Sequence, residues 1–369
     1  MEAAAERVRE RLPSILTQVL EVTMSNRIAL LASALALSAL LPWIPAIAQD
    51  PAAASTSGAP AAADQPLTRV RFVTDWKAQA PLGGFYQAMA RGFYADAGLA
   101  VDLIQGGPSV NVPILLGAHE VDFGVASNSF IPLNMVQAGI QATAVAAIFQ
   151  KDPQVLITHP REDVRSIADM RGLPIMISDA GVASHWVWLK AKFGFSDRQI
   201  RKYTFNLAPF LADPRAIQQG YVTSEPYEIE QASGVAPQVF LLADDDYPSY
   251  GTLIMATDRL IQTRPEVVQA FVTASIAGWH DYLNGDPAPG NALIQAANPE
   301  MTDAVLDGAI AAINRYELVH SGDAQSGGIG TMTDVRWQAF FTTMAGYGVY
   351  RPDLDWQRAY RLDFIPSAP

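Results

Sequence analysis

The residues of this chain best suited to chemistry are aromatic rings and carboxylates at the ends of strand-like runs. Asp75 and Trp76 follow TRVRFV, Ser127 and Asn128 close VDFGVASN, Asp179 opens the turn after LPIMIS, and Glu225 and Tyr227 follow YVTS. An indole in the polar company of Asp75, Lys77 and Gln79 can stack on a flat solute, and a carboxylate can accept hydrogen bonds from an amine edge. Each residue also has a plainer use. Trp76 suits a lobe core, Asp75 a turn, Ser127 and Asn128 helix N-caps, and Glu225 a turn before proline. Gly83 and Gly84 would free the backbone for close approach at a helix start, with Phe85 turned to the core and Tyr86 to the ligand. On the later helical run VASHWVWLKAKFG, Trp186 is expected to face a cleft and Trp188 the sheet. Asp75, Asp179 and Glu225 stand against Lys77 alone in this set, and three carboxylates would repel a sulfonate. A planar, amine-bearing heterocycle fits better. An anionic solute would instead use the helix starts near Ser109 and Asn128.

Composition narrows the chemistry. The 369 residues contain no cysteine, which excludes a thiol nucleophile, a thiolate metal site and a disulfide framework; the five histidines lack metal-ligand spacing. No metal or cofactor is expected. The formal charge of -12 argues against nucleic acid as a partner. From Met24 the sequence has one arginine, an apolar run and the small residues Ala46 and Ala48, the anatomy of a secretory signal peptide. The expected plan is an upstream extension and signal peptide over 1–48, with translation starting at Met24 and cleavage near Gln49. A flexible Ala/Pro/Ser-rich tether covers 49–66, and the exported product is a soluble periplasmic protein.

These side chains need a scaffold. Short β-rich runs alternate with helical patterns from Thr68 to about Ala243, which predicts mostly parallel sheets with crossover helices. Phe85, Met89 and Phe93 mark one stripe of a first helix, and Val267, Phe271, Ile276 and Trp279 mark another on RPEVVQAFVTASIAGWHDYL. A second α/β unit inserted into the first gives one lobe from 67–151 and 249–369 and another from 152–248. The chain would cross near Lys151–Pro153 and Tyr247–Tyr250. Ligands of open α/β sheets bind outside the carboxyl ends of the strands, so two such lobes enclose a cleft.

The segment DWKAQAPLGGFYQAMARGFYADAGLAVDLIQGGP, with VDFGVASNS, SIADMRGLPI and SEPY further on, resembles the solute-binding family of ABC importers. That family includes binding proteins for a thiamine-precursor pyrimidine, alkanesulfonates, taurine and nitrate, and its superfamily includes the fungal thiamine-pyrimidine synthases. The resemblance implies a type II periplasmic-binding fold with a helical C-terminal tail. It also implies a monomer that captures a small molecule without catalysis and hands it to an ABC permease and its ATPase. A flavin such as riboflavin is a further aromatic candidate. The synthases carry a cysteine-rich segment that this chain lacks, which weighs against an enzyme.

Overall fold

The computed structural model describes residues 66–366, so the signal peptide, the Met24 start and all of the tether but Pro66 lie outside the described residues. Runs rich in Val, Ile, Phe and Ala form two five-stranded sheets. In chain order the first sheet takes β1 (Thr68–Val73), followed by helix α1 (Gly83–Ala90), then β2 (Leu99–Ile104) and β3 (Phe123–Asn128). Helix α2 (Phe130–Ala138) leads to β4 (Ala142–Phe149). The second sheet takes β5 (Gln154–Thr158), β6 (Ile175–Ile177), helix α3 (His185–Phe193), β7 (Ile200–Lys202), β8 (Ile217–Tyr221), helix α4 (Glu225–Ser233) and β9 (Gln238–Leu241). The chain then returns to the first sheet as β10 (Gly251–Thr257) and ends in helices that include α5 (Pro265–Asn284), α6 (Asp303–Arg315) and α7 (Asp334–Gly346).

Strand order is β2-β1-β3-β10-β4 in the first sheet and β7-β6-β8-β5-β9 in the second. The expected sheets were mostly parallel, but each contains one strand that runs against both of its neighbours, β10 in the first and β5 in the second. Both strands directly follow a crossing between the sheets, where the chain arrives from the opposite side. Every residue of β4, β5 and β10 is buried, as expected of strands covered on both faces.

Two local readings change. The helix expected to run unbroken through Phe93 stops at Ala90; Gly92 takes a left-handed conformation (φ 78°) and a separate turn follows at Phe93–Asp96. Gly84, expected to serve ligand approach, instead serves packing. A Cβ there would lie 2.2 Å from the Trp279 ring on α5, and one on Gly278 would lie 2.2 Å from the Gly84 carbonyl. The two glycines let α1 and α5 approach backbone to backbone, which fixes the start of α1 beneath the cleft.

Arg336, on α7, binds both crossings. Its guanidinium donates to the carbonyls of Gln150, Pro248 (3.3 Å) and Ser249 (3.2 Å), and it lies 4.1 Å over the Tyr250 ring. A planar fork with several donors can gather carbonyls from two strands in this way; an ammonium has no such geometry.

Candidate functional site in the interlobe cleft

The carboxyl ends of β1 and β3 face those of β6 and β8. The turn after β1 is built by its neighbours: Thr74 Oγ1 donates to the Trp76 carbonyl (2.8 Å) and accepts from Gly106 N (2.9 Å), while Gln105 Oε1 accepts from Ala78 N (2.9 Å). A Cβ on Gly106 would lie 2.0 Å from the Thr74 carbonyl, so glycine is required for this closeness. The result projects Trp76 across the cleft. Its ring meets Phe205 of the second sheet's lobe, with centroids 4.7 Å apart and planes inclined at 51°. Phe205 is 48% exposed, unusual for so large an apolar side chain, and has a positive φ of 60°. Tyr203 stands 5.2 Å from Phe205 and completes a row of three rings.

A polar cluster lies beside the rings. Ser127 Oγ donates to the Asp75 carboxylate, and burial raises the Asp75 pKa against that hydrogen bond. From β8 the Tyr221 hydroxyl enters the fields of Asp152, Asp75 and Glu225; burial first, and then these charges, hold its pKa well above the ordinary value. Asp152, at the first crossing, is pushed up by burial from 3.8 to about 7, opposed by hydrogen bonds from Gln154 and Ser249 and by Arg336. Glu225 accepts from Tyr203 Oη (3.2 Å), Tyr221 N (2.8 Å) and Ser224 Oγ (2.6 Å). A carboxylate has about four lone-pair sites, so roughly one remains for a solute.

The structure thus brings Asp75, Trp76, Ser127 and Glu225 together. Asn128 borders the same strand ends, but its Oδ1 accepts from Phe130 N (3.1 Å) in an Asx turn, and the N-cap of α2 is Ser129 instead. Tyr227 lines a crevice together with Gln79 and Pro81 of the first sheet's lobe and Leu306 of α6. Asp179 is a rim residue, its side chain 82% exposed and paired with Lys202 at 2.9 Å. Tyr86 is buried, with an unpartnered hydroxyl whose pKa burial pushes up to about 12. Trp186 does not face the cleft as expected: it is 1% exposed in the lobe core, its indole N–H donating to Asp197 (2.8 Å). Spaced two apart, Trp186 and Trp188 lie on nearly opposite faces of α3, and both are buried because the helix is covered on both sides, Trp186 against Phe195 and Trp188 against Tyr247. His185, at the start of α3, is buried as well, and burial lowers its pKa to about 3.

Sequence reading missed Asp152, Tyr203, Phe205 and Tyr221. Tyr221 and Tyr203 had a signal, since both fall in or just beyond strand runs pointing at the cleft. Phe205 had none, because its position depends on a left-handed loop residue.

Among curated proteins, the chain is 26% identical over 332 residues to the riboflavin-binding protein RibY of Chloroflexus aurantiacus, covering 86% of this chain and 92% of that protein. Among solved structures it is similar to the alkanesulfonate-binding protein SsuA of Xanthomonas axonopodis pv. citri, bound to MOPS (TM-score 0.59, 14% identity, 81% of this chain and 99% of that one). It is also similar to the desulfurization enzyme DszB (TM-score 0.53, 12% identity, 81% and 97%). At such identities the structures establish the shared periplasmic-binding fold, which carries both binding proteins and an enzyme. The sequence pattern of the family described as NMT1/THI5 like matches residues 79–288, more than half of the chain, and the protein belongs to that family.

Proposed function

We propose that this protein is a periplasmic solute-binding component of an ABC importer that captures a planar nitrogen heterocycle between its lobes. The observation that carries this reading is the Trp76–Phe205 contact across the cleft, beside the carboxylates of Asp75 and Glu225. Two rings on opposing lobes form the walls of a stacking site once the lobes part enough to admit a third ring, about 3.5 Å from each. The carboxylates supply acceptors for ring N–H or amine groups. Lys77 is occupied by Glu300 at 3.2 Å, which leaves a sulfonate or nitrate without a cation from the expected set.

Within the heterocycles, a flavin is favoured by the similarity to a riboflavin-binding protein along most of both chains. A thiamine-precursor pyrimidine is the second reading, favoured by the single open acceptor position on Glu225, which suits one exocyclic amine. The lobes would pivot about the crossings at 150–153 and 247–250. Catalysis is not proposed: the curated relative similar along most of both chains is a binding protein.

A thermal-shift screen of riboflavin, an aminopyrimidine, taurine and an alkanesulfonate tests this reading. A ligand at about 100 times its Kd stabilises the fold by roughly 2.7 kcal/mol, well within detection. Stabilisation by a heterocycle supports the proposal, and stabilisation by taurine or the sulfonate alone refutes it.

A further inference from the structure

The two crossings are pinned to each lobe by different partners. On the first lobe, Gln150 N and Lys151 N donate to the Leu318 carbonyl (2.6 and 3.2 Å), and the Gln150 amide donates to the Thr331 carbonyl (2.8 Å). Arg336 holds the carbonyls of Gln150, Pro248 and Ser249. On the second lobe, Gln154 pairs with Tyr221 of β8, Val222 N donates to the Pro153 carbonyl (2.9 Å), and Tyr247 packs on Trp188 of α3. Between these pins lie the stretch from Lys151 to Pro153 and the Tyr247–Pro248 link, so a change of lobe angle is absorbed there.

Asp152 is built into that gap. It is 2% exposed, and its carboxylate accepts from Gln154 N (3.0 Å) on the second lobe and from the Ser249 hydroxyl at the other crossing. Ser249 Oγ in turn accepts from Ser129 N (3.2 Å) of the first lobe. One carboxyl group therefore ties both crossings to both lobes. Its surroundings disfavour charge. Tyr221 and Tyr247, their pKa values raised first by burial, are raised further by Asp152, and Tyr221 also feels Asp75 and Glu225 from the cleft. Arg336 faces Asp152 with the opposite sign, but its guanidinium is shared with Asp323 (3.9 Å) and the Tyr250 ring. Burial outweighs it and places the Asp152 pKa at about 7.

We infer that closure of the lobes takes up a proton on Asp152, so that the hinge shuts more firmly as pH falls. The inference rests on the reading of two lobes that shut on a solute, not on which solute it is. Parting the lobes draws Tyr221 away from Ser127 and Asp75 and admits water to the floor of the cleft. A hydrated Asp152 ionises near its ordinary 3.8, whereas the shut hinge keeps the proton up to about 7. Between those values the shut form holds a proton that the open form has released. Each pH unit of acidification within this window favours the shut form by up to about tenfold. Below 3.8 both forms are protonated and above 7 both are ionised, so the effect stops at either end.

Because the chain has no cysteine, two spin labels can be placed without competing sites. Ile114→Cys on the first lobe and Val235→Cys on the second use exposed positions. Electron–electron distance measurements on the full chain, with no solute added, should show a short and a long distance whose ratio changes at least tenfold between pH 5 and pH 8.5, the short one gaining in acid. Asp152→Asn, which has the shape of the protonated acid without its titration, should keep the short distance throughout. Asp152→Ser, equally neutral, should also lose the pH response and stands in where asparagine is not tolerated. A distance distribution unchanged over this range in the labelled parent, or a pH response that survives in the neutral variants, overturns the inference. With no solute present, either result leaves the heterocycle reading to its own screen.

Discussion

Trp76 is held by a turn whose hydrogen bonds all come from its own lobe, so its ring is set before any solute arrives. Its replacement should therefore affect binding rather than folding. Trp76→Ala is expected to cost at least tenfold in affinity for a heterocycle, with the melting temperature of the free protein shifted only slightly, as titration and calorimetry would show. Glu225→Gln separates two uses of one side chain. It disturbs the bonds from Tyr203, Tyr221 and Ser224 as well as any bond to solute, so both affinity and stability should fall. Gly84 gives the opposite result: Gly84→Ala must displace the Trp279 ring and should destabilise by roughly 1–3 kcal/mol, leaving affinity per folded molecule nearly unchanged. The placement of Asp75, Trp76 and Glu225 just beyond strand ends was legible in the sequence, because the β-rich runs before them stop there. Sequence reading misjudged Gly84 because helix-to-helix distance is decided by α5, far along the chain, and Trp186 because the residues just past the end of α3, Phe195 and Asp197, fold back on its indole.

At the scale of elements, the two crossings and α7 form one unit, joined by Arg336 and flanked by Asp152. The raised Asp152 pKa has a definite sign. Between 3.8 and about 7 the folded protein holds a proton on Asp152 that the unfolded chain releases, so this group favours folding at low pH and that contribution is lost as pH rises through about 7. Buried His185 acts in the opposite sense: its pKa falls from 6.5 to about 3, so its contribution is present above 6.5 and lost as pH drops through that window. The two partly cancel in the intact protein, and the difference between wild type and Asp152→Asn isolates the carboxylate. Denaturant titrations from pH 4 to 8 should show the variant gaining on wild type as pH rises; equal curves would remove Asp152 from the account. The alternation of strand and helix patterns was enough to anticipate two α/β sheets. The direction of β5 and β10 was not legible, because the period of a strand carries no information about which way its neighbours run.

At the scale of the whole molecule, the account is of two lobes that shut on a flat solute. Phe205 rests on Trp76, so the rings must part and close again around a third. Small-angle scattering should register compaction on saturation with a verified ligand, and identical profiles would count against a hinge at 150–153 and 247–250. The central claim, that the cleft selects a planar nitrogen heterocycle through Trp76, is tested most directly by isothermal titration. Riboflavin, an aminopyrimidine, taurine and an alkanesulfonate would each be titrated into wild type and Trp76→Ala under one buffer condition. The account predicts saturable, 1:1 binding of a heterocycle to wild type, at least tenfold weaker in the variant, and no heat of binding from the two sulfonates. Binding of a sulfonate alone, or heterocycle binding indifferent to the loss of Trp76, would contradict it.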